Sequence, residues 1–476
     1  MDQSISKTRL GWRQYLLGLF FCLLSISVLS ARLGGDEIYS YIAYTAALGI
    51  FIMALSGLGL REFYLIFVCF VLGGAALLTL DNGTNVLLAG LDQGVFLMNF
   101  LLLLTLLHQA ASTSTAVARV GSFLTQQPAS RRYLAISGGS SIMGVIFNLG
   151  TITMLTPLIH EGVANSKGDD ELKSLRERRQ LNAMLRGFAW CVIWSPTALA
   201  PVAVMELIDG IDRNLWSFYG FLMSVLILAL GWVEDHYMFR KFAGLAQRQG
   251  EKSLPPPGMS LLHFGQALAI LFGLSYMFSW LANDSVVVGI LFACPLMMLG
   301  WILLQAKEHH LPIYQATAVR LHDVIFGKLT LNLGILVTLG CSGFIGRAAA
   351  ALVPAEEVAS TLGLYGMPDF LFLFLVPLAM MPFALLGLSP IVMAVFFGGL
   401  FGSLEVLPAD PTLLALAISM GWALSMTMSP FATVVLLMSR LNGISGLDLT
   451  LRWNWCFNII TIFVMFLMLM ALTGGT

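Results

Sequence analysis

Long runs of apolar residues alternate with short polar segments along the whole chain of 476 residues. Clear examples are the runs 15–30, 38–58, 65–80 and 286–304. Each approaches or reaches the roughly 20 apolar residues that a membrane-spanning helix needs. In lipid every backbone N–H and C=O must be paired within the protein, and continuous helices achieve this pairing within one segment. The pattern therefore predicts an all-α polytopic membrane protein with about 11 transmembrane helices.

The composition supports this prediction, because 58% of the residues are hydrophobic and only 11% are charged. A soluble domain of this length needs more charged surface. The first apolar run follows Arg13 and shows no small-residue cleavage site, so we interpret it as a retained helix. The six cysteines form no CxxC pair, which argues against a disulfide framework or a zinc site.

The basic residues indicate how the chain is oriented. Lys7, Arg9 and Arg13 precede the first span, and basic loops remain on the inner side of a membrane. If each long run crosses once, apart from two hairpins, 21 of the 25 basic residues fall in inner loops. We therefore expect a multi-pass protein of the cell (inner) membrane with a cytoplasmic amino terminus and a carboxyl terminus outside.

Short motifs recur at a nearly constant spacing, which indicates an internal repeat. The matching pairs are 155–159 with 388–392, Asn99 with Asn332, Thr105 with Thr338, and Ser195-Pro196 with Ser429-Pro430. The first three pairs are separated by 233 residues and the last by 234. Each match alone is weak, but their common order and spacing favour two related halves.

Loop charge predicts that the two halves have opposite orientations. The region around Pro157 lies between the basic segments 111–133 and 164–182, so both of its ends are expected inside. The matching region of the second half lies between 354–357 and 405–410, which contain no Lys or Arg, so both of its ends are expected outside. Two elements that enter and return from opposite faces are typical of inverted-repeat secondary transporters.

This interpretation divides the chain into four parts. They are N-terminal scaffold helices at 1–80, a first repeat core at 81–233, a cytoplasmic loop with scaffold helices at 234–326, and a second repeat core at 327–476. The re-entrant hairpins are expected at about 134–162 and about 367–403, and the broken helices at about 183–206 and about 412–437.

The first hairpin tip, at 147–151, carries polar groups that suit a cation or a substrate. A non-helical tip is tolerated at membrane depth only where protein buries it or where it lines a wet cavity. Asn148, Gly150 and Thr151 are therefore candidate binding residues, and the alternative is a helix kink whose Asn bonds within the bundle. The second tip, placed at 380–382 by the 233-residue spacing, reads Met-Met-Pro and lacks such a ligand.

The broken helices are the second candidate binding feature. A proline removes a backbone donor and frees a carbonyl upstream, and the new helix amino terminus can hold an anion. The candidate substrate-binding residues are Ser195, Pro196 and Thr197 in the first half and Ser425, Thr427, Ser429, Pro430 and Thr433 in the second. For a cation we single out Asn148, Thr151, Ser195 and Ser429. The alternative is a pair of proline kinks that neighbouring helices satisfy.

Few other residues suggest chemistry inside the membrane. His108 and Asp369 lie near span ends, and Arg186 either steers anions or extends its charge towards the inner surface. The sequence shows no clear buried carboxylate, which disfavours an Asp/Glu proton relay. It also contains no Walker A, HExxH or dinucleotide fingerprint, so we expect neither an enzyme nor nucleotide-driven transport.

These features resemble the ion transporter superfamily, and most nearly its divalent anion:sodium symporters, the dicarboxylate and citrate carriers. The resemblance rests on Asn148 at the first tip and on the Ser-Pro breaks at 195–197 and 429–431. The family has Ser-Asn-Thr at each tip, whereas this chain has Phe147-Asn148-Leu149 at the first. The resemblance implies eleven spans, two opposed hairpins, two broken helices and a homodimer that works as an elevator.

We thus predict a secondary active transporter of a small anionic, carboxylate-type solute coupled to Na+ or H+. Its expected partners are the solute, the lipid bilayer and a second copy of the chain, without nucleic acid. No cofactor is expected other than Na+ as a candidate coupling ion. Two alternatives stay open: an exporter of amphipathic or drug-like compounds on the same fold, and the membrane subunit of a binding-protein-dependent carrier.

Overall fold

The computed structural model describes residues 11–112, 114–166, 169–240, 258–308 and 312–475. Within these ranges the chain is helical and contains no strand, which confirms the all-α prediction. Ten helices of the described part are long and apolar enough to cross a membrane. The expected count of about eleven included the first broken helix, which is not among these ten.

The helices follow one another with short connections. The first ten are α1 (Trp12–Arg32), α2 (Ile38–Ala54), α3 (Leu60–Thr79), α4 (Gly83–Ala111), α5 (Thr115–Thr125), α6 (Ala129–Phe147), α7 (Gly150–Ala164), α8 (Asp170–Cys191), α9 (Leu199–Met205) and α10 (Arg213–Met238). The next are α11 (Gly258–Ala282), α12 (Val286–Glu308), α13 (Ile313–His322), α14 (Leu333–Leu352), α15 (Ala355–Thr361), α16 (Asp369–Leu385), α17 (Pro390–Gly402), α18 (Pro411–Met428), α19 (Thr433–Asn442) and α20 (Trp455–Leu472).

The chain forms two compact units. Unit one consists of Met1–Ala111 and Leu271–Phe344, and unit two consists of Ser112–Ile270 and Ile345–Thr476. Unit one is built around apolar side chains of α1, α2, α4 and α12, among them Leu24, Ile50 and Met98. In this unit the backbones of α4 and α14 are in close contact. A Cβ added to Gly94 would lie only 2.7 Å from the carbonyl oxygen of Gly340. Small residues permit such close helix contacts in membranes.

Unit two contains the elements that the sequence analysis predicted to carry the chemistry. Its α8 packs tightly along α6, since a Cβ added to Gly187 would lie 2.0 Å from the carbonyl oxygen of Ser137. No side chain larger than hydrogen fits at Gly187 without separating the helices. Trp190, one turn later on α8, is fully buried. The close packing places the end of α8 inside the unit.

Helices α6 and α7 form a hairpin that reverses at Asn148. An added Cβ at Gly139, on α6, would lie 2.3 Å from Leu124 of α5. An added Cβ at Gly121, on α5, would lie 2.7 Å from Leu158 of α7. Residues before and after the tip therefore pack on the same short helix, which requires α7 to return beside α6. The observed helices, 129–147 and 150–164, include the expected range of 134–162.

Helices α16 and α17 form a second hairpin, but its tip is not where the sequence repeat placed it. The rings of Phe372 and Phe401, near the two open ends, lie 5.4 Å apart. The chain turns at Gly387, whose φ of +90° favours glycine. Residues 380–382, expected at the tip, lie inside α16 despite Pro382. The predicted tip at Met380-Met381-Pro382 was wrong, because prolines are tolerated within membrane helices whose freed backbone groups find other partners.

The motif match that located this tip is not a structural match. Pro157 lies in the interior of α7, whereas Pro390 is the first residue of α17. A proline at the first helical position needs no backbone donor, but an interior proline leaves a carbonyl without its helical partner. The two segments therefore have similar residues but occupy different positions in their hairpins.

Candidate functional site

The first broken helix consists of α8 and α9, separated by a turn at 192–198. The N–H of Ser195 donates to the carbonyl of Cys191 at 2.9 Å and continues the helix by one bond. Pro196 has no N–H, so the carbonyl of Val192 loses its helical partner. The hydroxyl oxygens of Ser195 and Thr197 lie 2.8 Å apart, and both side chains are buried.

A hydroxyl group fixes this turn to the first hairpin. Thr197 Oγ1 donates to the carbonyl of Val145 at 2.6 Å. Val145 lies three residues before Asn148, in the last turn of α6, where carbonyls have no partner within the helix. The bond therefore joins the first helix break to the first hairpin tip.

The first tip itself presents polar atoms next to this bond. Asn148 adopts φ +48° and ψ −130°, a conformation uncommon for a residue with a side chain. Gly150 begins α7, and the Thr151 side chain is fully buried. Thr151 Oγ1 has no hydrogen-bond partner within the described residues. A buried hydroxyl without a partner is rare in proteins and suits a site that a ligand completes.

The second broken helix, α18 and α19, repeats the arrangement. The N–H of Ser429 donates to the carbonyl of Ser425 at 2.8 Å, and Pro430 then interrupts the helix. Ser429 Oγ donates to the carbonyl of Ala384 at 2.6 Å. Ala384 lies three residues before Gly387, the turning residue of the second hairpin. Each helix break is thus joined by one hydroxyl to a carbonyl three residues before a hairpin's turning residue.

The two breaks differ in the residue that makes this bond. Thr197, the residue after the proline, donates in the first half, whereas Ser429, the residue before the proline, donates in the second. Both second helices start after an alanine, Ala198 for α9 and Ala432 for α19, and neither has a side-chain cap. Thr433 is the first residue of α19. Ser425 donates its hydroxyl within its own helix.

Unit two brings the sequence-predicted residues into two neighbouring groups. The first group is Asn148, Gly150, Thr151, Ser195, Pro196 and Thr197, and the second is Ser425, Thr427, Ser429, Pro430 and Thr433. The groups are close because α18 packs against both α8 and α9, and α19 packs against α7. The helices that carry both groups therefore form one packed body.

Arg186 does not extend its charge towards the inner surface, which was one of its two expected roles. Its guanidinium is buried, donates to Glu234 at 2.7 Å and to Asn454 Oδ1 at 2.7 Å, and lies 4.1 Å from the ring centre of Phe457. The Tyr133 hydroxyl accepts a further bond at 3.1 Å. Arg186 therefore does not extend to the surface, because its charge is neutralised and bonded inside the unit.

The expectation that no carboxylate is clearly buried was also wrong. Glu234 and Asp235 lie near the end of α10, and both are buried. Asp235 pairs with Arg179 at 2.6 Å. The cytoplasmic loop was expected to begin at residue 234, but α10 continues to Met238, and residues 241–257 lie outside the described residues. In the sequence, Glu234 directly follows the apolar run of α10, and this position was the available indication that its carboxylate is buried.

Comparisons with known proteins show the fold. No protein-family model matches the chain, and no curated protein matches it. Among solved structures, the chain is similar to the crystal structure of the Alcanivorax borkumensis YdaH transporter, described as having an unusual topology. The TM-score is 0.56 at 12% sequence identity, over 87% of this chain and 98% of that chain. The chain is therefore a multi-pass membrane protein with a fold that is also found in a transporter.

Proposed function

We propose that this chain is a secondary active transporter that moves a small anionic, carboxylate-type solute across a cell membrane, coupled to Na+ or H+. The observation that carries this proposal is the pair of broken helices, each joined by a hydroxyl to a hairpin tip. Helix breaks at membrane depth are tolerated where they line a cavity or bind solutes and ions. The transporter fold found by structural comparison supports the same function.

The start of α19 supports an anionic solute. Its N-cap is Ala432, which has no side chain able to accept from the first-turn N–H groups. The residues Val434 and Val435 of that turn are buried, so water does not readily replace the missing cap. Free N–H groups and the positive end of the helix dipole favour a carboxylate or another anion.

The first hairpin tip supports a coupling cation. Asn148, the unpartnered hydroxyl of Thr151 and the hydroxyl of Ser195 supply oxygen ligands of the kind that hard cations prefer. Ser429 supplies a hydroxyl at the second break. In this proposal Na+ binding at the first tip orders the site for the solute, as the charge of the cation offsets that of the anion.

The proposal includes an elevator mechanism in a homodimer, and membership of the divalent anion:sodium symporter family that the motifs resemble. Unit two, which contains both hairpins and both broken helices, is the part that would move as one body. Internal packing supports this assignment, since α18 packs on α8, α9 and α16. A cytoplasmic amino terminus in an inner membrane belongs to the same proposal.

Uptake by proteoliposomes tests the function. Vesicles containing the purified protein are loaded with K+ and given radiolabelled succinate or citrate with an inward Na+ gradient, an inward proton gradient, or neither. We expect gradient-dependent accumulation that the ionophore for the driving ion abolishes. Absence of accumulation for a panel of mono-, di- and tricarboxylates, together with no thermal stabilisation by any of them, contradicts the proposal.

A further inference from the structure

Two polar side chains of α20 lie in the interior of unit two, with oxygen atoms that no donor satisfies. Asn458 is 3% exposed and Thr461 is 1% exposed. Asn458 Oδ1 and Thr461 Oγ1 have no hydrogen-bond partner in the described part of the chain. Because these residues are three positions apart on a helix, their side chains lie on the same face. Buried polar atoms without partners cost free energy, so a pair of them requires an explanation.

The orientation of the Asn458 amide is fixed by its one good contact. Asn458 Nδ2 donates to the carbonyl of Thr427 at 3.1 Å. A carbonyl only accepts, so the nitrogen of the amide must face it. The amide oxygen consequently points away from Thr427 O, as a bare acceptor inside the unit. A flip of the amide would place two acceptors against each other.

The contact lies at the carboxyl end of α18, where the second helix break frees backbone carbonyls. In a continuous helix the carbonyl of Thr427 would accept from Phe431, but the N–H of Phe431 instead donates to Ser429 Oγ at 3.2 Å. The carbonyl of Met426 would accept from residue 430, which is a proline without an N–H. The carbonyl of Thr427 thus accepts from Asn458, and the carbonyl of Met426 lacks its helical donor, so this helix end carries partial negative charge.

We infer that Asn458, Thr461 and the carboxyl end of α18 form a binding site for a monovalent cation, with Na+ as its physiological class. Amide, hydroxyl and carbonyl oxygens are hard ligands, and helix ends of this polarity coordinate Na+ in transporters. The site contains no carboxylate, and the described residues contain no cluster of three or more His, Cys, Asp or Glu. A neutral ligand set favours a single positive charge over a divalent ion.

The buried cation that stacks on the neighbouring Phe457 does not oppose this site with a full charge. Arg186 stacks on Phe457, the residue before Asn458, but it is paired with Glu234 at 2.7 Å. The pair is close to neutral when seen from α20. Asn454, one turn before Asn458, is occupied by bonds to Arg186 and to the carbonyl of Leu449. Asn454 therefore belongs to the ion pair, and Asn458 remains available.

The site compensates for the missing ligand of the second hairpin. The first tip has Asn148 and a buried hydroxyl on Thr151, whereas the second turns through Leu386-Gly387-Leu388. On α10, which follows the first broken helix, the positions 234 residues before 458 and 461 are Ser224 and Ile227. The first half thus has one buried hydroxyl, that of Ser224, at these positions, whereas the second has an amide and a hydroxyl. This inference rests on the proposed function only in naming Na+ as a coupling ion.

Thermal unfolding of the purified protein in detergent tests the site without any solute. The apparent Tm is measured against NaCl, with choline chloride at constant ionic strength, in the N148A variant to exclude the first tip. We expect a saturable rise with Na+ in N148A, and its loss in N148A/T461V and N148A/N458L. Transport is not measured, so failure of the proposed function does not affect the result.

Two controls distinguish a ligand from a structural side chain. In the N148A background, Thr461→Val removes an unsatisfied hydroxyl, so in choline it should leave Tm unchanged or raise it, while the Na+-dependent rise disappears. Thr461→Ser should retain the rise, as should Ser419→Ala, whose buried hydroxyl only bonds its own helix. A full Na+ response in N148A/T461V, or no Na+ response in N148A, overturns the site.

Discussion

The guanidinium of Arg186 on α8 lies 2.7 Å from the carboxylate of Glu234 on α10, and both side chains are at least 95% buried. Tyr133 of α6 and Asn454, which precedes α20, also bond Arg186. One charged group therefore connects the first hairpin, the first broken helix and the helix that follows each broken helix. It acts as an internal brace of unit two.

Glu234→Leu should destabilise the protein by about 3–5 kcal/mol, because the buried guanidinium would lose its counter-charge. Arg186→Met/Glu234→Leu should cost less than the sum of the single changes, since it removes both charges. Chemical unfolding in detergent measures these differences. The exposed pair of Arg452 and Asp448 is the control, and Arg452→Met should change stability far less than Glu234→Leu. Equal losses in Glu234→Leu and Arg452→Met would contradict the role of the brace.

Thr197→Val should destabilise the protein by about 1–3 kcal/mol, because it leaves the carbonyl of Val145 without a donor. The same change should lower the rate of solute uptake by loosening the first hairpin tip. Thr153→Val is the matched control, since Thr153 is exposed and its hydroxyl bonds only its own helix. If both variants unfold and transport alike, the bond to Val145 has no special role.

Asn148→Gly should retain the fold and lose cation-dependent uptake. Glycine accepts a positive φ without strain, so this variant removes the amide ligand but keeps the turn. Asn148→Ala should also abolish cation dependence, with an additional loss of stability from strain at φ +48°. Uptake in proteoliposomes with and without Na+ measures the effect. Normal cation dependence in Asn148→Gly excludes the amide as a ligand.

Cysteine labelling of a variant without the six native cysteines tests the opposite orientation of the two hairpins. Glu171→Cys reports on the segment 164–182, and Val406→Cys reports on 405–410, where Val406 is 66% exposed. An impermeant maleimide should label Val406→Cys on intact cells and Glu171→Cys only after permeabilisation. Labelling of both cysteines from the same side of the membrane would contradict the inverted topology.

The loop after the second hairpin should be sensitive to acid. The N–H of Glu405 and the hydroxyl of Tyr365 donate to Glu356, and these bonds hold the pKa of that carboxyl below its usual range. The bonds are therefore complete above the ordinary carboxyl pKa and weaken as the pH falls through the lowered value. Hydrogen exchange at Glu405 should be faster in Glu356→Gln than in wild type at neutral pH. This difference should vanish in acid, and a difference independent of pH contradicts the assignment.

The helical architecture was predictable because the membrane imposes it locally. The length and apolarity of each span follow from lipid thickness and backbone pairing, without reference to other helices. The Ser-Pro motifs at 195–196 and 429–430 likewise coincide with both helix breaks, whereas Pro157, Pro377 and Pro382 lie inside continuous helices. The inverted orientation and the elevator mechanism remain predictions.

The second hairpin tip shows where local reasoning failed. A spacing of 233 residues placed it at 380–382, but the chain turns at Gly387, and α16 accommodates both Pro377 and Pro382. Whether a proline ends a helix depends on the neighbours available to its freed carbonyls. Those neighbours come from other parts of the chain, so the sequence motif alone did not decide the outcome.

The sequence by itself determined that this is an all-helical membrane protein, because the length and apolarity of a span are properties of contiguous residues, and its Ser-Pro motifs marked the two helix breaks. Only the tertiary structure decided which polar groups are paired. Arg186 meets Glu234 across 48 residues, and Asn458 meets the carbonyl of Thr427 across 31. Such contacts depend on the rotation and depth of packed helices. The packing paired Arg186 with Glu234, and within the described residues it left Asn458 Oδ1 and Thr461 Oγ1 without partners.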